Sequence, residues 1–235
     1  MRKQATNRSV RGFTLVETLV VVAVVALLMA LLLPALASAR KSGRSAVCLS
    51  NLRQAFALCR TYADEYAGVG PAIGQPYGAL PNWALVVQER SGRYGADAGL
   101  YAEASVLVCP EAAAALGRAL TRTYAMNATG HAGAPGDPDN YDALPAPGSA
   151  SAAIRFDRVA QPGLVAILVD SSAPATGPGQ PPATRTSSVI DFRNAAHVPA
   201  RVGLVHAGSS FNAARFDGSA AGYREVPSDW ARPLP

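Results

Sequence analysis

The sequence has no Cys-x-x-Cys, no pair of histidines at metal-ligand spacing on one element, and no Gly-x-Ser-x-Gly elbow. It has no internal repeat, no acidic residue before Glu17, and no charged residue between Thr18 and Ala39. The first three absences remove the usual signatures of a metal centre and of an elbow nucleophile. Asp170-Ser171-Ser172 follows an expected strand with neither an elbow nor a positioned histidine, so an enzyme is not expected. The missing acids give the net charge of +5 a location. Arg2, Lys3, Arg8 and Arg11 stand unopposed ahead of Gly12, which leaves +1 for everything after it. Basicity confined to a short leader does not describe a polyanion-binding surface, and no nucleic-acid partner is expected. A basic leader before an apolar run instead holds that end in the cytoplasm.

Cysteine is scarce, at Cys48, Cys59 and Cys109. An odd count allows one internal bridge and leaves a thiol over. Cys48 and Cys59 fall on an expected helix eleven positions apart, about 16 Å along its axis. Disulfide geometry needs Cα atoms within about 7 Å, so these two cannot pair while the helix stands. A bridge to Cys109 stays open. The reading preferred from sequence is three small buried residues.

The run after Glu17 is almost wholly aliphatic from Leu19 to Leu33. At about 1.5 Å per residue, the uncharged stretch spans the roughly 30 Å hydrocarbon core of a bilayer. In lipid, unsatisfied backbone groups cost several kcal/mol each, which forces a helix despite the β-branched valines. Ala37-Ser38-Ala39 has the small-x-small form of a signal-peptidase site, the basis of an alternative reading: a secreted binding or enzymatic domain released after Ala39. Against it, Arg40 and Lys41 would follow the cut at once.

Arg11-Gly12-Phe13-Thr14-Leu15-Val16-Glu17 closely resembles the type IV prepilin processing motif. By that resemblance a prepilin peptidase cuts after Gly12 and methylates Phe13, and Glu17 is the assembly glutamate. Pro34 falls where many family members carry a helix-kinking proline. The resemblance implies a pilin or type II secretion pseudopilin, anchored in the bacterial inner membrane by one span with its N-terminus cytoplasmic. Its partners would be the peptidase and other pilin or pseudopilin subunits. A carboxylate in a membrane span costs about 2.5–3.5 kcal/mol by insertion scales and calls for a partner. The amine of Phe13 on a neighbouring subunit, freed by cleavage, supplies one.

Cys48, Leu52, Ala55, Cys59, Tyr62 and Tyr66 recur at helical spacing and predict a soluble helical half ending near Gly68 and Pro71. Strands are expected at Ser105–Cys109, Leu164–Val169, Arg201–Val205, Asn212–Phe216 and Tyr223–Val226. Pro- and Gly-rich loops are expected over 130–151 and 171–188. The fold class is therefore α+β: a long N-terminal helix, membrane-spanning in its first half, packed on a C-terminal antiparallel sheet. The boundaries are a leader 1–12, a membrane or filament-core helix 13–39, a soluble helical half 40–67, and a head 68–235.

Cys109-Pro110, Tyr124-Ala-Met126-Asn127, and His206 followed by Asp217-Gly218 resemble segments of a large bacterial subgroup of these proteins. The usual spacer between its histidine and Asp-Gly is nine residues, and Ala207–Phe216 makes ten. The polar candidates are His131, His197, His206, Asp170, Asp191, Asp217 and Cys109. The reading preferred for His206, Asp217 and Gly218 is a structural turn, with the histidine on turn backbone and the aspartate starting the turn. No cofactor is expected. Calcium on Asp217 and loop carbonyls is the alternative, with ligands that the sequence does not assign.

Overall fold

The computed structural model describes residues 14–73, 83–92, 105–116, 120–131, 153–171, 189–194 and 196–235. Leader residues 1–12, Phe13 and most of the two Pro/Gly-rich stretches lie outside the described residues. Two compact units divide the chain, one up to Ser42 and one from Gly43.

The first unit is the start of a helix, α1, which runs from Leu15 to Glu65. It passes through Pro34 and Ala39 without a break. Its aliphatic side chains from Leu15 to Leu36 are all exposed, whereas a helix packed in a soluble core hides at least one stripe. By length and composition this segment can cross a membrane.

In the second unit α1 becomes amphipathic. Cys48, Leu52, Ala55, Phe56, Cys59, Tyr62 and Ala63 are buried along one face. Tyr66 does not join them. It lies just past the helix, is half exposed, and stacks on Tyr62 at 4.3 Å. The helix stops because Ala67 and Gly68 take φ values of 51° and 82°. The Gly68 N–H then donates to the Ala63 carbonyl at 2.8 Å, closing a Schellman-type end.

The head holds β1 (Val69–Ala72), α2 (Trp83–Arg90), α3 (Pro110–Leu116), β2 (Tyr124–Asn127), β3 (Ala153–Arg155), β4 (Ala166–Asp170), β5 (Val189–Ile190), α4 (His197–Arg201), β6 (Phe211–Arg215) and β7 (Ala220–Tyr223). β1 and β3 form a separate antiparallel pair. The other strands order as β5-β2-β4-β6-β7, antiparallel except for the parallel β5–β2 edge. The layout is α+β, and that parallel edge makes the sheet mixed.

Both sheet faces are covered, which is why β2 and β4 are buried at every position. Tyr124, Met126 and Ala214 join the core of α1, while Ala125, Phe211 and Ala213 join a second cluster with Trp230. Ile167 and Leu168 are adjacent yet share the first cluster. The register shift between Ala166 and Leu168 accounts for the break in alternation, since a bulge re-aims one side chain. Trp230 closes the second face against Tyr223, Phe192 and Phe211, at ring separations of 4.9, 5.3 and 6.0 Å.

Three expected strands are corrected, the first being Tyr223–Val226, because that strand runs Ala220–Tyr223 and the chain has left the sheet by Arg224. Ser105–Cys109 is a turn, because the Ser105 hydroxyl accepts from the Leu107 N–H at 3.1 Å and Pro110 opens α3. Arg201–Val205 is the end of α4 followed by irregular chain, joined to Ser171 by one bridge at Val202. Gly203 lets that chain approach, since a Cβ there would lie 2.7 Å from the Ser171 backbone.

Candidate functional site

Two places gather the chemistry. The first is the start of α1. Thr14 caps the helix and its hydroxyl accepts from the Glu17 N–H at 3.3 Å. The Glu17 carboxylate reaches back to accept from the Thr14 N–H at 2.8 Å and from its hydroxyl at 2.7 Å. This is a capping box, which satisfies otherwise orphaned helix-start donors reciprocally. The Thr-x-x-Glu spacing signals it, and sequence reasoning that reserved Glu17 for a neighbour missed Thr14. The glutamate thus has a partner within its own chain. Gly12 and Phe13 lie outside the described residues.

The second place is buried in the head, where the scattered Cys-Pro, Tyr-x-Met-Asn and histidine segments converge. Cys109 is bonded to Cys48, with Cα atoms 4.7 Å apart. Three separate buried thiols is therefore the wrong reading. The helix puts Cys59 out of Cys48's reach but turns Cys48 toward the head, where Cys109 ends its turn with its N–H held by the Thr123 hydroxyl at 2.6 Å. Cys59 remains a free, fully buried thiol, and burial pushes its pKa up to about 12. It stays protonated and unreactive at neutral pH.

Beside the disulfide sits His206. Its backbone closes a turn with Ser210, but its ring does not bond the turn backbone, which corrects that part of the turn reading. Nε2 lies 2.8 Å from Asp170 Oδ2, 2.8 Å from the Asn212 side-chain amide nitrogen, and 3.6 Å from Cys109 Sγ. Asp170 Oδ2 also accepts from the Asn212 backbone N–H at 2.6 Å. Asp170, Asn212 and His206 are all buried. So Asp170 does have a positioned histidine, brought from a segment 36 residues downstream. Burial pushes the Asp170 carboxyl up, against the pull of His206 and the Asn212 amide. Tyr124, on the strand paired with Asp170, is pushed well up by burial and then by the Asp170 charge. Its hydroxyl donates to the Cys48 carbonyl at 3.2 Å.

The remaining candidates stand elsewhere. Asp217 lies in the β6–β7 turn, accepting from the Ser219 hydroxyl at 2.5 Å and its N–H at 2.9 Å, and that hydrogen-bonding, the hydroxyl's first, holds its carboxyl below the usual range. Gly218 follows at φ 84°, a conformation glycine adopts without strain. His197 starts α4 and accepts from the Asp191 N–H at 3.0 Å, and Asp191 pairs with Arg193 at 2.9 Å. His131 is not brought to the disulfide, and burial holds its pKa below the ordinary histidine value.

Replacing Asp170 with alanine strips the Asn212 N–H and the His206 ring of one buried acceptor. The expected cost is about 2 kcal/mol of head stability. Thermal unfolding followed by near-ultraviolet circular dichroism checks it, and an unchanged midpoint would show that the pair carries no stability.

The chain matches the Prokaryotic N-terminal methylation motif over residues 7–33. No curated protein and no solved structure matches it.

Proposed function

We propose that this chain, type IV pilin-like in its methylation motif and long apolar N-terminal helix, is a structural subunit of a type IV pilus or a type II secretion pseudopilus. The carrying observation is that the motif runs straight into a helix whose aliphatic side chains from Leu15 to Leu36 are exposed on every face. An exposed apolar surface of that extent requires lipid or other apolar helices around it. One helix suits both: a membrane span before assembly and a packed filament core after it.

In this reading prepilin peptidase cuts between Gly12 and Phe13 on the cytoplasmic face and methylates the new amine. Methylation to a secondary amine preserves the positive charge. The Phe13 ammonium of one subunit then meets Glu17 of the next, and each buried charge becomes affordable only beside the other. The protein serves as the peptidase's substrate and as a building block, with no reaction and no cofactor assigned to it. It sits in the inner membrane before assembly, with its head on the outer side.

The deciding measurement is the mass of the N-terminal peptide from protein isolated from cells expressing the peptidase. A peptide starting at Phe13 and carrying one methyl group is expected. A start at Arg40 would replace this reading with a secreted domain, and a retained basic leader would remove it.

A further inference from the structure

The cluster around Cys109 holds more polarity than a crosslink needs. A disulfide packs among apolar side chains without a polar neighbour, and burying a carboxylate is costly unless its partners are good. Asp170 and His206 are nevertheless both buried, the histidine against this bond and the carboxylate on the histidine ring, each leaving an atom, Oδ1 and Nδ1, without a hydrogen bond. His206 Nε2 is crowded instead, with carboxylate, amide and sulfur all facing one ring nitrogen that serves one hydrogen bond. Two sulfurs, an imidazole and a carboxylate from distant parts of the chain form a donor set that suits a borderline-soft cation better than calcium or magnesium.

We propose that, in the dithiol state of the protein, Cys48 Sγ, Cys109 Sγ, His206 Nε2 and Asp170 Oδ2 form a closed, buried Zn2+ site. The ligand atoms of Cys48, Cys109 and His206 all lie within 4.8 Å of one another, and Asp170 Oδ2 is 2.8 Å from Nε2. Tetrahedral zinc at ordinary bond lengths spaces its ligands by about 3.5 Å. The imidazole and carboxylate need to part by less than about 1 Å, the sulfurs separate once their bond is cut, and Asp170, which is not one of the three residues gathered within 4.8 Å, closes on them to complete the shell.

The chemistry balances with a dithiol reductant as co-reactant. It gives two electrons and two protons to the disulfide and becomes a disulfide itself. The two thiols then lose their protons to solvent as Zn2+ binds. The imidazole ligates in its neutral form, with its hydrogen on Nδ1, the ring atom that is otherwise idle. With three anionic ligands the site carries one net negative charge, and four protein ligands leave no open position for catalysis. Crosslink and metal are thus alternative ways of tying α1 to the head. The inference stands independently of the filament reading.

The test uses the full chain in detergent micelles, reduced with a phosphine, desalted without oxygen, and titrated with Zn2+ or with Co2+ as a spectroscopic probe. One zinc per reduced chain is expected, and none per oxidised chain. Cobalt should give thiolate charge-transfer bands together with intense tetrahedral d–d bands. Asp170→Asn and His206→Gln should each weaken binding at least about tenfold, and Cys59→Ser should leave it unchanged. Should those two ligand variants fail to fold, X-ray absorption of the wild-type zinc form decides, with two sulfur and two nitrogen or oxygen neighbours expected. No stoichiometric uptake by the reduced chain, folded or not, would overturn the proposal. So would equal uptake by the oxidised chain, a sulfur-only shell, or affinity unaffected in folded Asp170→Asn and His206→Gln.

Discussion

Glu17→Gln is expected to be processed normally yet to enter filaments at least about tenfold less than wild type, with Glu17→Val failing to the same degree. The capping box makes glutamine the informative variant. Glutamine can reach back to the Thr14 N–H as glutamate does, so the helix start survives, whereas valine loses it. A lost cap costs about 1 kcal/mol. A charge left unmatched in a membrane-like interior costs about 2.5–3.5 kcal/mol, enough for a factor of about 100. If the cap were the whole role of Glu17, glutamine would behave as wild type and valine would be mildly impaired. If charge pairing governs assembly, the two variants fail together. Immunoblots of sheared filaments against whole cells, normalised to processed subunit, read the difference. Wild-type incorporation of Glu17→Gln would end the charge-pairing mechanism. The cap also gives assembly a cost of its own, because the carboxylate must loosen its hold on Thr14 to meet a neighbour's amine.

Joint replacement of Cys48 and Cys109 by alanine is expected to lower head stability by about 4 kcal/mol. The bond closes a loop across 61 positions, and the chain-entropy model puts a crosslink of that span at about 4 kcal/mol. For a head of this size that is a fall in unfolding midpoint of roughly 8–16 °C. The midpoint is read in micelles by near-ultraviolet circular dichroism, with a chelator present. Wild-type protein in reductant should approach the double variant. Cys59→Ala should fall short of both, since it removes one sulfur from the core and no crosslink. A double variant as stable as wild type would show that the unfolded chain gains no freedom from losing the bond.

How much of this was legible in the sequence depends on the range of the interaction concerned. The end of α1 was readable because Gly68 acts on its immediate neighbours. Leu164–Val169 and Asn212–Phe216 were readable within a residue or two as β4 and β6, since short β-branched or alternating runs beside turn residues report local geometry. Ser105–Cys109 misled because Val106, Leu107 and Val108 carry strand-like side chains, while the Ser105 hydroxyl and Pro110 decide the backbone. β1 was missed because Gly70 and Pro71 argue against a strand. Yet among the described residues Val69–Ala72 pairs only with β3, an arrangement proline tolerates. Gly70 is further explained by Phe156, whose ring would lie 2.3 Å from a Cβ there.

The buried cluster was the least readable part. Cys109, Tyr124 and His206 were each singled out as fragments of a motif, but nothing local states that they meet. Asn212 was read only as a strand residue, and its contribution of one backbone and one side-chain nitrogen depends on β6 lying beside β4. Cys48 was judged against Cys59, the cysteine it shares a helix with, because separation along one helix can be computed from sequence. Its distance to Cys109 follows only from how α1 packs in the head.

The bond between Cys48 and Cys109 also governs how the molecule meets tension. A pull applied through α1 and the last strand travels straight across the two sulfurs, so the chain between them bears none of the load. Those 61 positions would otherwise pay out roughly 200 Å of slack. While the sulfurs stay joined that length is locked away, and the extension comes from β2 to β7, the strands outside the closed loop.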